Sequence, residues 1–76
     1  MQKLMYNKLY DTEAATLVKK YTFGQFGDPA GYEECLFQTP DGFYFLFVQG
    51  GAESPYPQAD LLRIGKAKAE VWLGNH

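Results

Sequence analysis

The chain of 76 residues has one cysteine, one histidine and, from Tyr21 to Leu62, no lysine or arginine. A single cysteine excludes an intrachain disulfide and a cysteine-based zinc site, the two usual staples of domains this small. The histidine is residue 76, a terminal position expected to fray, which leaves metal ligation and histidine catalysis without a positioned residue. No apolar run approaches the roughly 18 residues needed to cross a bilayer; the longest is Phe43-Tyr44-Phe45-Leu46-Phe47-Val48. The first eight residues show no long apolar segment and no small-residue cleavage site. These absences predict a soluble cytoplasmic protein with no metal, no cofactor and no membrane partner.

What is present points to a folded chain. Hydrophobic residues make up 46%, and six Tyr, six Phe and one Trp supply a core. Residues 1–76 make one domain, and a domain of this size buries only roughly 60% of its unfolded surface. Its stability is therefore expected to be marginal or shared with a partner.

The net charge of −2 hides an uneven arrangement. Lys3, Lys8, Lys19 and Lys20 outnumber Asp11 and Glu13 at one end, and Arg63, Lys66 and Lys68 outnumber Glu70 at the other. Between them Asp28, Glu33, Glu34, Asp41, Glu53 and Asp60 stand without a cation. A fold that keeps these segments apart presents an acidic face suited to a basic protein partner. A fold that interleaves them neutralises the charges in space.

Along the chain, Lys3 to Asp11 reads as a short strand or extended arm. Asp11 is a good helix N-cap, and Ala14, Leu17, Val18 and Tyr21 follow at i, i+3, i+4 and i+7. Lys19 and Lys20 in the last turn and Gly24 after it complete an expected helix of about ten residues. Gly24 to Gly31 is loop. Residues 32–39 and 43–49 are strand-forming runs around Pro40-Asp41-Gly42, a three-residue turn with Gly42 left-handed. That register sets Phe37 opposite Phe45, Cys35 opposite Phe47 and Glu33 opposite Gln49 on one face. The other face carries Gln38/Tyr44, Leu36/Leu46 and Glu34/Val48. The first face is the more apolar and is expected to pack under the helix. The second needs cover from the chain's ends or from another molecule, a second copy included.

Gly50 to Gln58 is irregular, Leu61 to Ile64 is a short strand, and Lys66 to Leu73 a short helix showing Ala69, Trp72 and Leu73 on one side. The expected fold class is α+β: a small antiparallel sheet, built on the 32–39/43–49 hairpin plus short edge strands, packed with two short helices.

Chemistry finds few candidates. Cys35 lies mid-strand on the core face with no base nearby, so it reads as a core residue. Glu33 and Glu34 are adjacent in a strand and point to opposite faces, so they do not cooperate as an acid–base pair. The glycines lack the lysine and hydroxyl of a phosphate loop. An aromatic base-stacking platform would need cations that the hairpin lacks, leaving nucleic-acid binding to the cations at the two ends. The pattern predicts no enzyme. Tyrosine beside acid is a protein-contact composition, and Glu34, Asp41, Tyr44, Glu53 and Tyr56 form the candidate contact set. Tyr32 and Tyr56 are also placed to close the core beneath the Gly/Pro loop.

Four segments occur in order: Lys8-Leu9-Tyr10-Asp11-Thr12-Glu13-Ala14-Ala15, Glu33-Glu34-Cys35-Leu36-Phe37-Gln38-Thr39 running on to Gly42-Phe43-Tyr44-Phe45-Leu46, Gly50-Gly51-Ala52-Glu53-Ser54-Pro55-Tyr56, and Ala69-Glu70-Val71-Trp72-Leu73. This order resembles a group of short bacterial proteins carried on phages and other mobile elements, with the pattern K-x-Y-D-T-E-x-A, E-E-x-L-(Y/F)-x-T-x-x-G-x-(Y/F)-F-L, G-G-x-x-S-x-Y and A-x-x-W-L. Proteins of this size on such elements include anti-CRISPR inhibitors. The resemblance implies a non-enzymatic inhibitor acting in the bacterial host, with a basic surface of a Cas protein or CRISPR effector complex as its partner. The alternatives are a small nucleic-acid-binding accessory protein and a homodimeric structural module.

Overall fold

The computed structural model describes residues 1–24 and 27–76. Among the described residues, six strands are followed by one helix. Strands β1 (Gln2–Met5) and β2 (Lys8–Asp11) form a small antiparallel ribbon. Strands β3 (Thr16–Phe23), β4 (Tyr32–Gln38), β5 (Tyr44–Gly50) and β6 (Asp60–Ile64) form an antiparallel sheet in that spatial order. Helix α1 (Lys66–Asn75) closes the chain.

The central hairpin has the expected register, with Glu33 opposite Gln49, Cys35 opposite Phe47 and Phe37 opposite Phe45. Its loop closes through Thr39 and Phe43, whose backbones bond at 2.8 Å, and Gly42 is left-handed at φ 92°. The α+β class and the closing helix stand as read.

The helix expected after Asp11 does not form; Thr16–Phe23 is a strand. Asp11 does accept the N–H of Glu13 at 2.9 Å, and its carbonyl accepts from Ala14 at 3.2 Å. The capping chemistry therefore closes one turn and stops. Thr16, Val18, Tyr21, Thr22 and Phe23 are β-branched or aromatic and lose rotamer freedom in a helix, and pairing with β4 satisfies one side of this segment's backbone. Leu17 and Val18, two members of the supposed helical stripe, are left exposed beside a bulge in the β3–β4 ladder.

The N-terminal arm is a hairpin, not one strand. Tyr6 and Asn7 both have positive φ (53° and 62°), the backbone of a two-residue turn matched to strand twist. Asparagine tolerates that conformation well, whereas tyrosine gives little local warning of it.

The first face is covered by the N-terminal ribbon in place of the helix expected there, and the second, as expected, by an end of the chain, helix α1. Phe45 and Leu61 pack against Tyr10 of the ribbon, with Met5, Ala15, Phe37 and Phe47 around them. Tyr10 meets Phe45 edge-on at 5.4 Å. The opposite face, Leu36, Leu46 and Val48, receives Ala69 and Trp72 of α1. A ten-residue helix and a short ribbon thus each cover one face, giving two layers of core around a single sheet.

Candidate functional site

The chain's most connected side chain is Glu34, which sits 8% exposed beneath α1. Strand alternation turns it toward the helix, while Glu33 points to the other face. Its Oε2 accepts from the Tyr56 hydroxyl at 2.5 Å, and its Oε1 accepts from the Trp72 indole N–H at 3.0 Å. His76 Nε2 lies 3.1 Å from the same Oε1. The His76 ring stacks on Trp72 (4.6 Å, 15°), stands edge-on to Tyr21 (4.6 Å, 85°), and places Nδ1 2.8 Å from the Trp72 carbonyl. Burial, then the hydrogen bond to the carboxylate, pushes the Tyr56 hydroxyl up to about 12.

Three segments of the sequence pattern therefore meet at one carboxylate: the second Glu of E-E, the Tyr of G-G-x-x-S-x-Y and the Trp of A-x-x-W-L. Both carboxylate oxygens are occupied from within the chain. The arrangement binds helix and loop to the sheet and leaves no open position for a reacting group. The His76 ring, expected to fray, is packed between two aromatics. Sequence reading missed both His76 and Trp72 as Glu34 partners, because their proximity depends on α1 folding back over the sheet.

The five residues of the sequence-derived contact set do not share one surface. Glu34 and Tyr56 meet in this buried cluster. Tyr44 is half-buried against the same core. Asp41, at the hairpin tip, takes the Lys8 ammonium and the Thr39 hydroxyl (2.6 Å), hydrogen bonds that hold its carboxyl below the usual range. Glu53 is exposed in the Gly/Pro loop, its N–H bonded to the Pro29 carbonyl at 2.9 Å.

Lysines of the N-terminal segment reach acids of the middle segment. Lys3 pairs with Asp60 at 2.8 Å, Lys8 with Asp41, and Lys20 with Glu33 at 3.1 Å. Three of the seven cations and three of the six middle acids are thereby neutralised in space. Glu33 is pushed up by burial but held low overall by the Gln49 amide and Lys20. Beside this pair lies an open groove of about 480 Å³, edged by Thr22, Phe23, Tyr32 and Gly50. Cys35 is buried, and that burial raises its thiol, consistent with a core role. Helix α1 packs on the second hairpin face, where the homodimer contact was expected.

β3 is an edge strand; among the described residues only β4 pairs with it, so half its backbone donors and acceptors face outward. Leu17, Val18 and Phe23 on this strand are 51%, 42% and 51% exposed. The opposite edge, β6, is touched by Lys3 of the ribbon, which bonds to Asp60 and to the Leu61 carbonyl (3.1 Å). No family model, curated protein or solved structure matches the chain.

Proposed function

We propose that the chain is a non-enzymatic protein-binding module acting in the bacterial cytoplasm, and that it serves a mobile element as an inhibitor of a CRISPR effector. The observation that carries the protein-binding reading is the open β3 edge with its exposed Leu17, Val18 and Phe23. Natural sheets seldom leave a long, apolar edge uncovered unless something pairs with it. The four-segment resemblance to mobile-element proteins supports the inhibitor role. Among the described residues no helix is long and apolar enough to cross a membrane, in keeping with a partner met in the cytoplasm.

The ion pairs change what the partner needs to look like. With Glu33, Asp41 and Asp60 neutralised and Glu34 enclosed, the basic partner surface loses most of its complement. The protein partner is retained, with β3 as the contact in place of an acidic patch. Nucleic acid is the weaker reading, since Lys3, Lys8 and Lys20 are spent on carboxylates and phosphate contacts need clustered free cations.

The test is target cleavage by purified CRISPR effector complexes of several types, with the chain added in rising ratio. Stoichiometric loss of cleavage by one type supports the reading. Undiminished cleavage by every effector in the panel removes the inhibitor role for those types.

A further inference from the structure

We infer that β3 accepts an extended segment of the partner carrying an acidic residue between apolar ones, which adds to the sheet as a fifth strand. This rests on the protein-binding reading above and names the chemistry of what binds.

The edge supplies three constraints. Its outward backbone groups ask for an extended strand, because only another strand satisfies them in series. Its side chains are apolar at both ends, with Leu17 and Val18 before and Tyr21 and Phe23 after. Its centre is Lys19-Lys20, with no acid anywhere in the strand. Adjacent strand residues point to opposite faces, and Lys20 is already held by Glu33, so one acid on the Lys19 face answers the ammonium that is left.

The sheet already answers the other lysine: on the inner side of β3, strand β4 brings Glu33, whose Oε2 lies 3.1 Å from Lys20 Nζ, while Glu34 is taken up by Tyr56 and Trp72. Lys19 has no such partner among the described residues and remains for the incoming segment.

A second copy fits the edge poorly. Every antiparallel self-pairing that engages seven or all eight residues of β3 sets a lysine opposite a lysine, which is destabilising. Shorter overlaps forfeit backbone bonds. The bulge between Leu17 and Lys19 further spoils a symmetric pairing.

The experiment titrates the full chain with an eight-residue peptide that has one central glutamate and flanks of valine and threonine. It is followed by amide chemical shifts and hydrogen exchange. Two control peptides carry a lysine in place of the glutamate, or N-methyl groups on alternate amides. The acidic peptide is expected to shift and protect β3 amides, with each control binding at least about tenfold more weakly. Lys19→Glu is expected to reduce acidic-peptide affinity about tenfold. Should that variant melt early, Lys19→Gln together with added salt gives the same direction.

Equal binding of acidic and lysine peptides overturns the inference, as does protection mapping to the groove or to α1. Protection of β3 amides that rises with protein concentration alone assigns the edge to a second copy and also overturns it. The two readings fail separately. An inhibited effector complex with unprotected β3 amides sinks only this inference, while peptide binding without inhibition of any effector sinks only the CRISPR role.

Discussion

The indole N–H of Trp72 donates to the buried carboxylate of Glu34 across 3.0 Å, 38 residues away in sequence. This contact, shared with the Tyr56 hydroxyl and the His76 ring, ties the chain's helix and its Gly/Pro loop to the centre of the sheet. A buried polar cluster of this kind is costly to break from one side, because each partner left behind keeps its desolvation penalty.

Glu34→Leu strands the Trp72 and Tyr56 donors together and is expected to cost about 3–5 kcal/mol. Glu34→Gln keeps an acceptor and the side-chain shape and should cost less than half as much. Urea unfolding followed by Trp72 fluorescence measures both. Equal midpoints for the two variants would show that the cluster contributes nothing beyond packing.

Alkaline pH offers an independent check on the same cluster. Tyr56 holds its proton more tightly when folded, with a pKa pushed up to about 12 against the ordinary 10.0. The stability this contributes is fully present below pH 10 and is lost as pH rises from 10 toward 12. Tyr56→Phe is expected to flatten that part of the pH–stability curve while lowering stability at neutral pH. Absorbance at 295 nm should show a tyrosine ionising late, and that late step should vanish in the variant.

On the acid side, Asp60 and Asp41 are held low, chiefly by hydrogen bonds from Lys3 and Lys8 respectively. Their contributions are present above the unfolded carboxylate pKa and fade as pH falls through the lowered folded values. Both pairs are substantially solvent-exposed, so Lys3→Ala and Asp60→Ala should couple by less than about 1 kcal/mol, weakening with salt. A double-mutant cycle at two ionic strengths measures this.

Two glycines separate backbone strain from collision. At Gly42 an added Cβ meets nothing within 4 Å, but φ is 92°, so Gly42→Ala should cost about 1–2 kcal/mol through the backbone alone. At Gly51 the Cβ would stand 2.3 Å from the Pro29 carbonyl oxygen and 2.6 Å from its carbon. Backbone must move there, so Gly51→Ala should be the more damaging, and it should disturb the 28–31 loop in amide shifts. Comparable costs and a silent loop would contradict that reading.

Core truncation completes the set. Leu36 is fully buried under α1, while Val71 lies 62% exposed on the outer side of the same helix. Leu36→Ala is expected to cost about 2–5 kcal/mol, and Val71→Ala to stay within about 0.5 kcal/mol. Thermal melts of the pair decide it.

Local chemistry makes the central hairpin legible in the sequence. Pro40-Asp41-Gly42 demands a turn, and the alternation on either side fixes which residues face one another, so Phe37/Phe45 and Leu36/Leu46 could be paired from spacing alone. The closing helix was equally readable from the Ala69, Trp72, Leu73 side. Residues 16–23 were misread because an apolar stripe at helical spacing and a β-branched, aromatic composition compete in the same eight residues. Nothing local decides between them. The outcome depends on β4 offering a ladder, a pairing between segments that are not adjacent in the chain.

The contact set shows the same division. Charge and tyrosine identify Glu34 and Tyr56 as unusual, yet only the fold sets the two 2.5 Å apart under a helix. Likewise the sequence shows an acidic middle between basic ends, and the fold brings the N-terminal lysines onto three of the six middle acids. Turn chemistry, strand period and composition act between neighbours and are written in the chain. Which face receives the helix, which carboxylate is enclosed and which edge stays open are set by long-range packing, where burial of large apolar surfaces outweighs local preference.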